Sequence, residues 1–349
     1  MVSIPEVDTE ILIEVLVSLL NTPSPTGFAD EAIGLVEKSL TEFQDLQHRR
    51  TRKGGLVVTW SGEDDKSPRG LIAHVDTLGA MVKEIKSDGR LKLTAIGGFA
   101  WNTVEGEGCT VITSTGDKVR GSILLTTASG HVHGVKVKET KRDDDTMEVR
   151  LDARTSSAKE TRALGIEVGD YVAIDPRVEV TNGFVRSRHL DDKAGVACLI
   201  AAVKALQDAK QKPAQTTTLL FSNYEEVGHG AASGFPSDLE ELVTIDMAAV
   251  GSGQTSDEFH TTICIKDSGG PYHHGLNQKL RALADEHKIS HKVDIYPYYG
   301  SDGEAYWRAG GDVAVALIGP GIDASHNYER THTDSLVATT QWIMAYLLS

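Results

Sequence analysis

The sequence predicts an α/β fold, a sheet with helices on both faces, interrupted by a small inserted all-β domain. Three features predict it. Strand-type and helix-type runs alternate from about residue 190 to the end of the 349-residue chain. Between about Leu78 and Ile174 helical periodicity vanishes, and short β-type runs alternate with Gly or charged turns. Several apolar runs also stop at a histidine or a carboxylate, as happens where an α/β sheet opens its site at the carboxyl ends of its strands. The expected division is therefore an α/β domain over residues 1–77 and 178–349, with the β insert at 78–177.

The elements follow in order. Asp8 can cap a helix to about Leu20, with Ile11, Leu12, Val15, Leu16 and Leu19 on one face. Asn21 to Gly27, rich in Thr, Pro and Ser, breaks it, and a second helix is expected from Asp30 to Phe43. Gly55–Trp60 and Leu71–His74 read as strands around a polar turn from Gly62 to Ser67. In the insert, Gly108–Thr113, Val119–Thr127, Val135–Lys138, Met147–Leu151 and Tyr171–Ile174 read as strands. A helix over Asp191–Asp208 then opens the alternation: strands to Asn223 and to Ile245, strand Thr261–Ile265, helix Leu276–His287, strand Val293–Ile295. Ser301 and Glu304 have the spacing of a capping box for a helix to Ala309. Strand Val313–Ile318 and a helix from about Leu336 close the chain.

Composition narrows the function. The 35 basic and 50 acidic residues leave a formal charge of −15, which disfavours nucleic acid and anionic membranes as partners. Cys109, Cys198 and Cys264 are scattered and odd in number, so neither a disulfide framework nor a thiolate metal site is expected. No signal peptide, no membrane-length apolar run and no phosphate-binding glycine loop is evident. A cytoplasmic protein without a nucleotide cofactor is the expectation.

Five positions carry the chemistry: His74, Asp191, Glu226, Asp246 and His332. Two imidazoles and three carboxylates suit a pair of divalent metals. Asp76, two residues after His74, can accept the other ring N–H and fix its tautomer. Of the adjacent pair Glu225-Glu226, one can ligate while the other takes a proton from a metal-activated water. Asp246 has apolar company on both sides, and a buried unpaired carboxylate needs a metal or a positive partner. Asp191-Asp192 could equally cap a helix, and His332 sits in a polar loop. His131, His133, His273 and His274 read as surface or loop residues.

At these residues the chain resembles the M42 family of dinuclear-metal aminopeptidases, within the zinc exopeptidase clan. The resemblance is carried by Ala73–Gly79, Leu190–Gly195, Glu225–Gly228, Thr244–Asp246 and the Tyr328–His332 loop. Ile96-Gly97-Gly98, Gly165–Asp170 and Gly300–Gly303 also match, so it spans nearly the whole chain. It implies that His74 and Asp246 hold one metal, Glu226 and His332 the other, with Asp191 bridging, Glu225 as general base and Asp76 orienting His74. It implies two divalent ions per subunit, zinc first, with cobalt or manganese as alternatives. It also implies an insert that mediates dimer-built homo-oligomers, up to a dodecamer. Thr77, the short stretch after Glu226 and the loop Ser325–His332 depart from the usual pattern, all near where substrate is expected to bind. His326 rivals His332 as the late ligand.

The expected function is hydrolysis of an N-terminal peptide bond, or a related small amide, by a metal-activated water with a Glu base. An endoglucanase-type glycosidase would need two carboxylates facing across a sugar, which adjacent glutamates fit poorly. A non-catalytic assembly protein would not need the full ligand set.

Overall fold

The computed structural model describes residues 3–43 and 45–349. Its first strands are β1 (Leu46–Arg50), β2 (Leu56–Trp60) and β3 (Asp64–His74). The insert follows as β4 (Gly79–Ile85), β5 (Leu91–Ile96), β6 (Gly108–Ile112), β7 (Lys118–Leu125), β8 (Met147–Leu151) and β9 (Tyr171–Ile174). Then come β10 (Glu179–Thr181), β11 (Phe184–Ser187), β12 (Gln215–Ser222), β13 (Glu241–Ile245) and β14 (Ala248–Val250). The last are β15 (Thr261–Asp267), β16 (Gly270–Pro271), β17 (His291–Ile295), β18 (Ala314–Asp323) and β19 (Glu329–His332). The helices are α1 (Thr9–Leu20), α2 (Asp30–Leu40), the short α3 (Gly130–His133), α4 (Lys136–Glu139) and α5 (Ala158–Arg162), α6 (Leu190–Asp208), α7 (His274–Glu286), α8 (Asp302–Arg308) and α9 (Thr333–Leu347).

Strands β4 to β9 close into a barrel in the order β4-β5-β8-β7-β6-β9 around its own apolar core of Val82, Leu93, Val111, Ile123 and Val149. The other strands form a 13-stranded sheet whose main path is β1-β2-β12-β3-β13-β18-β19-β11-β10. Its centre is parallel: β12 with β3, β3 with β13, and β13 with β18. The carboxyl ends of β12, β3 and β13 therefore lie together.

Side-chain parity explains both faces of this sheet. Leu71 and Ala73, Leu219 and Phe221, and Val243 and Ile245 point into the core built with α1, α2, α6, α7 and α9. Their alternates, Ile72, Leu220 and Leu242, face a second core with Tyr272 and the residues around α8. Counting on, His74 and Asp246 share the side of Ile72 and Leu242, away from the large helix layer. Among the described residues no helix is long and apolar enough to cross a membrane.

Several expected boundaries shift. Asp8 caps α1 through Ile11 N–H as its side chain allows (3.0 Å). The polar turn after Gly62 is half strand, because β3 starts at Asp64 and pairs with β12 there. β1 carries no strand signal in the sequence because Leu46–Arg50 is mostly polar and only Leu46 is buried. Val135–Lys138, whose V-K-V-K alternation suggested a strand, lies outside the barrel, and residues 136–139 form a helical turn; it is largely exposed and finds no cross-strand partner. Ser301 precedes α8 but does not cap it by side chain; its hydroxyl instead meets Tyr272 Oη at 2.7 Å.

One close approach fixes the sheet beside the site. A Cβ on Gly319 of β18 would fall 1.6 Å from the main-chain oxygen of Asp246. Gly319→Ala must therefore push β18 and Asp246 apart, at an overpacking cost of about 1–3 kcal/mol or more. A thermal melt should show Tm lower by several degrees; an unchanged Tm would contradict this packing.

Candidate metal centre

Four connections at the carboxyl ends of the parallel strands, together with the start of α6, supply the site. His74 is the last residue of β3 and is buried. Its Nδ1 lies 2.9 Å from the main-chain oxygen of Asp76, an acceptor only, so Nδ1 carries the proton and Nε2 faces Asp191 Oδ1 at 3.1 Å. The expected partner of that ring, the Asp76 carboxylate, is farther off at 3.7 Å. That carboxylate instead gathers the neighbouring loops, accepting from Thr26 Oγ1 (2.7 Å) and from the N–H groups of Glu225 (3.2 Å) and Glu226 (3.4 Å).

Asp191 and Asp192 begin α6, joined by a cis peptide, but both have non-helical backbone angles. Asp192 takes the capping part, accepting from Gly195 N–H (3.2 Å) and also from His74 N–H (3.3 Å). Asp191 is thereby left to point into the site. Glu225 and Glu226 are not on a strand end as expected. β12 stops at Ser222, and Tyr224, at φ +78°, turns the chain into a tight loop closed by Gly228 N–H to Glu225 O. The loop still parts the two glutamates: Glu225 Oε2 lies 3.7 Å from His74 Nε2, and Glu226 Oε2 lies 3.7 Å from His326 Nε2.

Two trios emerge. His74, Asp191 and Asp246 each offer a ligand atom within 4.8 Å of the others, and so do Asp191, Glu226 and His326. Asp191 belongs to both. His332, expected in the second trio, is not brought to it. Pairing of β19 with β11 sets His332 opposite Phe184, with ring centroids 4.8 Å apart, and its Nδ1 caps α9 by accepting from Asp334 N–H (3.1 Å). Left-handed residues at Ala324 and His326 (φ +59° and +62°) instead turn His326 inward, with Nε2 3.4 Å from Asp191 Oδ2.

Sequence reading missed Glu329. Its buried carboxylate accepts from Asp191 N–H (3.2 Å) and His326 N–H (3.0 Å), tying together two of the three segments that carry the second trio. A glutamate in a polar loop gives no signal of this beyond its place three residues after His326.

The electrostatics expose a shortage of positive charge. Burial pushes Glu225 and Glu226 well above the usual carboxylate range, and burial with the charge of Asp191 pushes Asp246 up to about 7. Burial also opposes charge on the imidazoles, yet the surrounding carboxylates win. His74 is raised well above its ordinary value, and His326 up to about 10, chiefly by Asp191. Asp191 itself is held low by His326 and His74 against its burial. Glu226 Oε1 is buried without any hydrogen-bond partner. Imidazoles and carboxylates without thiolates, a charge deficit and an orphaned buried oxygen together fit divalent cations such as zinc, cobalt or manganese. Beside the trios opens a cavity of about 620 Å³, walled by Met247, Ala249, Gln254, Tyr296, Tyr298 and Arg308.

Fold and centre define the class: a mixed α/β protein with a buried carboxylate–imidazole site at the ends of parallel strands, fitted to divalent cations. Residues 54–341 match the model of the M42 glutamyl aminopeptidase family. Over 337 residues, 96% of this chain and 97% of the relative, the sequence is 48% identical to the candidate aminopeptidase YhfE of Bacillus subtilis (strain 168). It is 27% identical to the glutamyl aminopeptidase of Lactococcus lactis subsp. cremoris (strain MG1363), over 79% of each chain. The solved TET1 peptidase of Pyrococcus horikoshii shares the fold with a TM-score of 0.84 at 23% identity, covering 97% of this chain and 99% of that one. The chain belongs to the M42 family. It is an aminopeptidase, a hydrolase of peptide bonds.

Removing the Glu329 carboxylate should leave the buried Asp191 N–H unpaired, at about 1–3 kcal/mol, and the half-buried His326 N–H at less. Glu329→Ala should lower the urea midpoint clearly, and Glu329→Gln, which keeps one acceptor, by less. Equal midpoints for all three proteins would remove Glu329 from this role.

Proposed function

We propose that this chain is a two-cation aminopeptidase in which His74 and Asp246 hold one ion, Glu226 and His326 the other, and Asp191 bridges them. The observation that carries the reading is the sharing of Asp191 between the two ligand trios. Zinc is the first choice of ion, with cobalt or manganese as alternatives. When bound, such a pair supplies Lewis acidity toward the scissile carbonyl and lowers the pKa of a water. Glu225 is the general base: it takes the proton of the attacking water and returns it to the leaving amine. Burial, by raising its pKa, suits it to hold that proton between the two steps. Asp76 acts through its neighbours. Its main-chain oxygen keys His74, and its carboxylate sets the loop that carries Glu225 and Glu226. The adjoining cavity receives the first residue of a peptide, or the acyl part of a small amide. His326 takes the place expected for His332 because its ring, not that of His332, faces Asp191 and Glu226.

The barrel is proposed to pack against other subunits. Val132, Val135 and Val168 of the insert are exposed, and the TET1 peptidase of similar fold assembles into a tetrahedron or a large octahedral shell. The three free, buried cysteines support a reducing compartment such as the cytoplasm.

Glu225→Gln should retain both ions and lose at least about 10²-fold in kcat; full activity with both ions bound would refute the base. Metal analysis separates the two late histidines. His326→Ala should lose about half the bound ion, whereas His332→Ala should keep both and lose only about 1 kcal/mol of helix capping; the reverse pattern would return the ligand role to His332. Light scattering of the protein at micromolar concentration should give a multiple of 37.6 kDa. The monomer mass would contradict assembly, and about twelve times it would match a dodecamer.

A further inference from the structure

The two imidazoles of the centre are keyed in the same way but from different parts of the molecule. His74 Nδ1 meets a carbonyl only two residues along its own loop. His326 Nδ1 meets the carbonyl of Gly98 at 2.5 Å, and Gly98 lies in the barrel's loop after β5, 228 positions away in the chain. A carbonyl cannot donate, so this contact places the proton on Nδ1 and leaves Nε2 facing Asp191 and Glu226. The loop is anchored at both ends. Gly97 adopts φ +75°, and a Cβ there would lie 2.5 Å from Leu78 Cδ2 and 3.4 Å from the main-chain oxygen of Glu226. Farther on, buried Arg188, just before α6, bonds both the Thr103 carbonyl and Glu107 Oε1 (the latter at 3.0 Å).

We infer that the inserted barrel is part of the catalytic centre: its Gly98 carbonyl is the positioning group that orients His326 to complete the second cation site. The inference rests on the two-cation reading above. An imidazole that loses such a partner can rotate or change tautomer, and ligand sites lose about 10- to 100-fold in metal affinity when the partner is removed. The barrel then has two tasks, and its docking onto the α/β domain governs loading of one ion but not the other. The first trio contains no residue keyed by the barrel.

The test is zinc binding, by calorimetry and metal analysis on purified full-length protein, independent of turnover. Gly97→Val forces a branched side chain into a left-handed position against Leu78 and must displace the loop. Gly116→Val, at φ +88° in the β6–β7 hairpin with nothing within 4 Å of its Cβ, imposes the same backbone strain away from the site. The second zinc should bind at least about tenfold more weakly to Gly97→Val, with the first within about twofold of the parent, and Gly116→Val should match the parent. Because Gly97 also nears Glu226, the double variant Gly97→Val/His326→Ala is decisive. If the loop acts through the imidazole, the double variant should bind no more weakly than His326→Ala alone. Additive losses, or an unchanged second site in Gly97→Val, would overturn the inference while leaving the two-cation reading intact. A parent protein binding fewer than two zinc ions would overturn that reading and the inference together. Should Gly97→Val fail to fold, Gly97→Ala carries the same comparison with the same expected direction.

Discussion

Asp191 faces two imidazoles at once, His74 Nε2 at 3.1 Å and His326 Nε2 at 3.4 Å, inside a ring of carboxylates that burial makes reluctant to ionise. The rest of the molecule serves that constraint. A protein would not ordinarily bury so much like charge, since each uncompensated carboxylate costs several kcal/mol on the order of a lost ion pair. Here the surrounding structure holds the groups together through main-chain contacts that do not depend on their charge.

The means are ordinary ones. Parallel pairing of β12, β3, β13 and β18 aligns the carboxyl ends of three of these strands, and strand parity sends His74 and Asp246 to the face opposite the large helix layer. Main-chain N–H groups then collect on three carboxylates that do not ligate in this reading. Asp76 fixes the Glu225 loop, Asp192 fixes the start of α6 against His74, and Glu329 ties Asp191 to His326. Each frees its ligand neighbour from a structural duty. The close passage of Gly319 under Asp246 shows how little slack the arrangement has.

This division bears on catalysis. Glu225 leans toward His74 and Glu226 toward His326, so in the proposed reading a single tight loop delivers a base and a ligand to different sides of one centre. The barrel reaches the same place through the Gly98 carbonyl, which contacts His326 Nδ1. The open cavity beside the trios carries aromatic walls and Arg308 rather than further acids, which leaves the acidic groups concentrated where the ions would sit.

The sequence alone determined much of this. The α/β alternation and the all-β insert were legible because strand and helix periods are local, and His74 and Asp246 because each follows a buried apolar strand, whereas Asp191 and Glu226 were singled out chiefly by the motifs of the family resemblance. Tertiary structure decided which late histidine faces Asp191 and Glu226. His326 and His332 stand six residues apart in one polar loop, and no local pattern separates them. Pairing of β19 with β11 turns His332 onto Phe184, while two left-handed residues turn His326 to Asp191. The roles of Glu329 and Gly98 were equally hidden, because each acts through a hydrogen bond between segments distant in the chain. Such contacts leave no periodicity to read, and only the folded chain could show which carbonyl keys which imidazole.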